Sequence, residues 1–138
     1  MTLEKLRSPY AQCGGIYYFA RMLDKIRLHA AGELPADYQP NLGGGFDARC
    51  TSFLWIEYAP LVERVKQGGS DDDILEWVFS QGRKPSAEEI EIWNEFMRKR
   101  GWNDEASERL AQRKAEGGFG NRADIQTFFD FIDADEGR

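Results

Sequence analysis

The second half of the chain repeats one pattern, in which a capping residue and acidic side chains precede apolar residues at helical spacing. Ser70 is followed three residues later by Asp73, and Ser86 by Glu89, which is the spacing of a capping box. Apolar residues three and four positions apart follow each box. Glycine and proline then end the two helices, at Gly82, Pro85 and Gly101.

Two more helices are predicted towards the C-terminus. Asn103 can cap a third helix that runs through about Glu116, where the next two glycines end it. Asn121 with Asp124 has the spacing to open a fourth, which carries apolar residues as far as Ile132.

The first half is less regular. Ser8-Pro9 is a plausible helix start, and the stripe behind it comprises Ile16, Phe19, Leu23, Ile26 and Ala30. A proline-containing loop over residues 34–42 leads to a glycine triplet, a helix over 46–57 and a short helix over 61–67. No alternation of apolar and polar residues is long enough for a sheet. The sequence therefore predicts an all-α single domain, residues 1–138, of about five to seven short helices.

Composition narrows the class of protein. The 138 residues are 41% hydrophobic and 13% aromatic, too apolar for a disordered chain, and the formal net charge is -6. That charge argues against nucleic acid and anionic membranes as partners. Two cysteines make no disulfide framework, and no apolar run could cross a bilayer, so we expect a cytoplasmic protein. The imbalance is uneven: residues 1–69 carry a net +1 and residues 70–138 a net -7.

Metal and cofactor chemistry finds little support in the sequence. Two cysteines and one histidine cannot supply a structural zinc site or a di-iron bundle. The Walker lysine and the dinucleotide-binding fingerprint are both missing. We therefore expect no metal and no cofactor.

The segment from Arg21 to His29 holds the first candidate site. On a helix, Arg21, Lys25 and His29 line up on one side, and Asp24 lies three residues from an arginine on either side. A solvated cationic face with one internal ion pair is the structural interpretation. In the functional interpretation, Arg21 anchors a ligand's charge, while Asp24, Lys25 and His29 carry acid/base chemistry.

The glycine triplet before the predicted second helix holds the other candidate site. Backbone N–H groups at Gly44 and Gly45 can cradle an anion with help from the helix dipole. Arg49 can add a bidentate fork, and Asp47 can orient a ligand. Alternatively, the triplet is simply a flexible entry to a helix. Cys50 is either a thiol activated near the helix start or buried filler.

Several short motifs resemble a small bacterial family that carries only the label domain of unknown function 5069. They are Leu6-Arg7-Ser8-Pro9, the run from Arg21 to Arg27, Asn41-Leu42-Gly43, Gly45-Phe46-Asp47, Arg49-Cys50, the run from Trp93 to Met97, Gly101-Trp102 and the run from Thr127 to Asp130. The resemblance covers nearly the whole chain. It implies a self-contained bacterial protein and supplies no activity, cofactor or catalytic residue.

Three functions remain open on the sequence. The first is binding of a small polar or anionic molecule between the Arg21–His29 helix and the segment 43–50. The second is a metal-independent acid/base enzyme, such as a lyase, isomerase or hydrolase, that uses Asp24, Lys25 and His29. The third is an interaction module that presents the acidic C-terminal half to a protein partner.

Overall fold

The computed structural model describes residues 2–138, and their side chains from residue 4 onward. Two-residue strands β1 (Gln12–Cys13) and β2 (Ile16–Tyr17) precede seven α-helices in this part of the chain. The helices are α1 (Phe19–Ala30), α2 (Phe46–Leu54), α3 (Tyr58–Lys66), α4 (Asp71–Gln81), α5 (Ala87–Lys99), α6 (Ser107–Glu116) and α7 (Phe128–Asp135). Short 3-10 turns cover Thr2–Lys5 and Ala36–Asn41. The predicted all-α domain is confirmed, with one small hairpin added.

Both predicted capping boxes are present. The Ser70 hydroxyl accepts from the Asp73 N–H at 3.1 Å, and the Asp73 carboxylate accepts from the Ser70 N–H at 3.1 Å. Ser86 and Glu89 make the same reciprocal pair at the start of α5. Because each box uses only neighbouring residues, α4 and α5 begin where the sequence places them.

The starts of α6 and α7 were predicted wrongly. Asn103 adopts a positive φ of 49° in a turn, and the Asp104 carboxylate there accepts from the N–H groups of Gly101 and Ala106. Helix α6 therefore starts only at Ser107. The cap of α7 is Thr127, whose hydroxyl accepts from the N–H of Asp130 at 3.1 Å, and not Asn121.

The N-terminal segment also differs from its prediction. Residues 9 and 10 form a turn, and Gly14 and Gly15 then reverse the chain with φ values of 59° and 78°. This reversal pairs β1 with β2 in antiparallel register, so α1 begins at Phe19. At the other end of α1, Ala30 is exposed and is not part of the core stripe.

Helix α1 lies at the centre of the core, and nine of its twelve residues are buried. Its apolar side packs on α3, while β2 packs on α5. The Trp93 indole stacks on Phe53 with ring centres 4.6 Å apart and donates from Nε1 to the carbonyl of Tyr17. A helix whose opposite side is also buried must carry either apolar residues or satisfied polar groups there.

None of the helices in residues 2–138 combines the length and the apolar character needed to cross a membrane.

Gly82 is required by close packing at the end of α4. A methyl group there would lie 2.0 Å from the carbonyl oxygen of Leu54. We expect Gly82→Ala to lower the free energy of unfolding by about 2 kcal/mol, the usual cost of overpacking. Urea unfolding measures this, with Gly120→Ala as the control because its nearest neighbour would be 4.0 Å away. Equal stability of the two variants would contradict the account.

Candidate functional site

Three charged side chains of α1 are buried: Arg21, Asp24 and Lys25 are 4%, 7% and 6% exposed. Each is paired with a residue from a distant part of the chain. Asp24 binds the Arg7 side chain at 2.9 Å, Arg21 binds Glu136, and Lys25 binds Asp47. This side of the helix is therefore not the solvated cationic face that the structural interpretation assumed.

The pair of Arg21 and Glu136 joins the C-terminus to α1. Both guanidinium nitrogens of Arg21 donate to the carboxylate, at 2.9 and 2.6 Å. Tyr38 and Arg138 donate to the same carboxylate at 2.8 Å each. Burial raises the pKa of Glu136, but the hydrogen bonds and charge of Arg21 outweigh it and hold the pKa below its usual range. The carboxylate is therefore charged and fully engaged.

Lys25, Tyr18 and Asp47 form a closed hydrogen-bonded triangle beside this pair. Lys25 Nζ donates to Asp47 Oδ1 at 2.8 Å and to the Tyr18 hydroxyl at 3.0 Å, while that hydroxyl donates to the same carboxylate oxygen at 2.6 Å. Burial lowers the pKa of Lys25 and raises that of Tyr18 well above its usual value. Tyr18 also has a φ of 77°, a strained backbone for a bulky residue.

A cleft of about 680 Å³ opens over these groups. Its walls come from α1, the 3-10 turn, the start of α2, the end of α5, α6 and α7. The polar residues that line it are Arg21, Lys25, Asp37, Asn41, Arg49, Arg100, Arg109, Arg113, Asp135 and Glu136. Its aromatic residues are Tyr18, Tyr38, Phe46, Phe128 and Phe131. This volume suits a small molecule of ordinary metabolite size.

The cleft brings together most of the residues that the sequence singled out. Arg21, Lys25, Gly44, Gly45 and Arg49 all line it. Asp47 lies directly beneath, where it also accepts from the Gly43 N–H at 3.1 Å. The first candidate segment and the glycine triplet therefore contribute to one site.

Asp24 and His29 do not line the cleft. The Asp24 carboxylate accepts from the backbone N–H and the side chain of Arg7, at 2.9 Å each. His29 is exposed near the end of α1. Of the three residues predicted to carry acid/base chemistry, only Lys25 therefore lines the cleft.

Three arginines of the cleft were missed by the sequence reasoning: Arg100, Arg109 and Arg113. All three belong to the acidic half, residues 70–138, whose net charge is -7. A signal was available, because Arg109 and Arg113 are four residues apart and repel each other on one side of a helix. The spacing of the aromatic residues of α7 did not indicate a cleft, because the same spacing is typical of a helix that packs on a hydrophobic core.

Three exposed arginines, Arg49, Arg109 and Arg113, form what we call the cationic mouth of the cleft. Among the described residues, Arg49, Arg109 and Arg113 have no carboxylate within ion-pair distance. The guanidinium groups of Arg49 and Arg100 lie 5.2 and 5.7 Å from the centre of the Phe96 ring. The two contacts differ in charge, because Arg100 also pairs with Asp104 at 3.5 Å whereas Arg49 has no carboxylate partner among the described residues.

The start of α2 adds backbone donors to the same cleft. The N–H groups of Gly45 and Phe46 find no acceptor within the part of the chain that the structure describes. They lie at the N-terminus of a nine-residue helix, where the helix dipole favours negative charge.

Cys50 lies on this helix and is fully buried. Burial, with the nearby Asp47 charge, raises the pKa of the thiol well above its usual value, so the group stays protonated. This placement agrees with buried filler and gives no support to an activated nucleophile. Residues 2–138 also contain no group of three or more histidine, cysteine, aspartate or glutamate side chains arranged to hold a metal ion.

The fold and the cleft define a small helical protein with an arginine-lined cavity. The sequence model of one family, described as a domain of unknown function (DUF5069), matches residues 3–138. The chain therefore belongs to that family, as its motifs predicted. A search of curated proteins found no match to the chain.

The Arg21–Glu136 pair gives stability a testable pH dependence. Glu136→Gln leaves Arg21 buried without a counterion, so we expect the free energy of unfolding at pH 7 to fall by about 3 kcal/mol. Because Arg21 holds the folded pKa of Glu136 below its usual value, the difference from the wild type should shrink as the pH falls through that folded pKa. Urea titrations between pH 7 and pH 3 measure it.

Glu91→Gln is the control for this comparison, because Glu91 is exposed on α5 and has no ion pair among the described residues. It should stay within about 0.5 kcal/mol of the wild type. A deficit for Glu136→Gln that is absent, or equal at every pH, would rule out the proposed pairing.

Proposed function

We propose that the protein binds a small anionic molecule in the arginine-lined cleft. The observation that carries this proposal is that Arg49, Arg109 and Arg113 point into one cavity without a carboxylate partner, although the protein as a whole has a net charge of -6. Unpaired like charges held together repel one another, and a bound anion removes that cost.

The two buried ion pairs shape the cleft, and they leave the positive charge of the exposed arginines available to a ligand. Lys25 and Arg21 are already neutralised by Asp47 and Glu136, so they form the base of the cleft and position its walls. The anion is then held by the exposed guanidinium groups and by the N–H groups at the start of α2. Guanidinium forks match carboxylate and phosphate oxygens, and bonds to an ionised group are stronger than neutral ones.

A second candidate, an acid/base enzyme, keeps one specific observation in its favour. Lys25 lines the cleft with its Nζ 3.0 Å from the Tyr18 hydroxyl, and burial lowers its pKa. A lysine and a tyrosine in contact can pass a proton to or from a bound molecule. This version replaces Asp24 and His29 with Tyr18 and Asp47.

We also propose that the protein works in the cytoplasm of a bacterium. Cys13 and Cys50 are both buried and unpaired, which fits a reducing compartment, and the bacterial origin follows the family resemblance.

Pyrophosphate is a suitable probe, because it is small, multiply charged and has no apolar part. Calorimetric titration at low salt should show saturable binding to the wild type that weakens as salt is added. Replacing both Arg109 and Arg113 by Gln should weaken binding at least about tenfold, since each removes a charged donor. Circular dichroism should show an unchanged fold, because both side chains are exposed.

The matched control is Arg122→Gln, which removes an exposed arginine that pairs with Asp124 outside the cleft. It should bind pyrophosphate as the wild type does. Failure of the wild type to bind, or an equal loss in the control, would contradict the proposal.

A further inference from the structure

We infer that the ligand is a phosphate monoester of a planar ring, an inference that rests on the proposed function and specifies its ligand. The cleft has two chemically different parts, a cationic mouth and an aromatic wall, and a single ligand must satisfy both. Inorganic anions and sugar phosphates satisfy only the first.

The cationic part suits a phosphate group better than a single carboxylate. The exposed guanidinium groups of Arg49, Arg109 and Arg113 have no carboxylate partners among the described residues, and the N–H groups of Gly45 and Phe46 are also free to donate. A carboxylate offers two oxygens and one charge. A phosphate monoester offers three terminal oxygens and nearly two charges at neutral pH, which matches this set of donors more fully.

The aromatic part is formed mainly by α2 and α7. Phe46 and Phe128 meet edge to face, with ring centres 6.3 Å apart and planes at 78°, and both stay partly exposed to the cleft. Phe131 continues the wall on the next turn of α7 and packs edge to face on Phe119. Partly exposed aromatic side chains inside a cavity are a favourable surface for a planar ring.

The cationic mouth and the aromatic wall are in contact, and this contact limits the distance between the phosphate and the ring of the ligand. The Arg109 guanidinium lies 5.7 Å from the centre of the Phe128 ring, so a donor of the mouth rests on the wall itself. An anionic group bound by Arg109 is therefore next to the aromatic surface. The phosphate and the ring of the ligand must be separated by only a short linker.

The volume sets an upper size. A cleft of about 680 Å³ accommodates a ring phosphate from a single six-membered ring up to a nucleotide. A ring phosphate excludes water from the aromatic wall, whereas pyrophosphate leaves that wall hydrated. The ring therefore adds affinity beyond that of the charge.

The experiment compares three groups of probes by calorimetry. Ring phosphates are pyridoxine 5′-phosphate and adenosine monophosphate; their uncharged parents are pyridoxine and adenosine; ringless anions are ribose 5-phosphate and pyrophosphate. We expect at least one ring phosphate to bind about tenfold or more tightly than both ringless anions, and every uncharged parent to bind far more weakly.

Phe131→Leu separates the wall from the mouth, because no arginine side chain rests on that ring within the described residues. It should weaken the tightest ring phosphate about fivefold and leave pyrophosphate affinity within about twofold. Phe79→Leu, a half-buried position on α4 outside the cleft, is the control and should change neither.

The outcomes separate this inference from the proposed function. If ringless anions bind as tightly as every ring phosphate, the inference that the ligand contains a planar ring is overturned, and the proposal of anion binding stands. If the uncharged parents bind as tightly as their phosphates, or if no probe binds, both are overturned.

Discussion

The buried charges of α1 are the constraint on which the rest of the structure depends. Leaving any one of Arg21, Asp24 or Lys25 without its partner would place an uncompensated charge in the core, at a cost comparable with a large part of a domain's stability. Each partner comes from a different region: the N-terminal segment, the first turn of α2 and the C-terminal end. Pairing the buried charges of α1 therefore brings the two ends of the chain and the glycine triplet together around this helix.

The same ion pairs separate neutralised charges at the base of the cleft from exposed positive charges at its mouth, within a protein that is acidic overall. The pairs of Arg21 with Glu136 and of Lys25 with Asp47 neutralise the base of the cleft, and we propose that the arginines on α2 and α6 without a carboxylate partner among the described residues select an anion. Two of these arginines lie on aromatic rings, Arg49 on Phe96 and Arg109 on Phe128. A ring contacts a guanidinium group without neutralising it, so these two charges stay available to the proposed ligand.

Some local signals were predictable from the sequence, although the cap of α7 at Thr127 was missed, and distant pairings were not predictable. The capping boxes of α4 and α5 involve residues three apart, so the sequence alone locates those helix starts. The Arg21–Glu136 pair spans 115 residues and the Arg7–Asp24 pair spans 17, and no local pattern specifies either. Asp24 was thus assigned to acid/base chemistry, whereas the structure engages its carboxylate with Arg7. Arg21, Lys25 and Arg49 were found because of their local context, and Arg109 and Arg113 were missed because the overall charge of their half concealed them.

The most direct test of the account is a two-dimensional ¹H–¹⁵N NMR titration of the labelled protein with pyrophosphate at low salt. The account predicts saturable shifts concentrated at the backbone amides of Gly45 and Phe46 and at the side-chain Nε–H groups of Arg49, Arg109 and Arg113. The signals of Asp24 and His29 should stay nearly fixed. Shifts centred on Asp24 and His29, or shifts that never saturate, would contradict it.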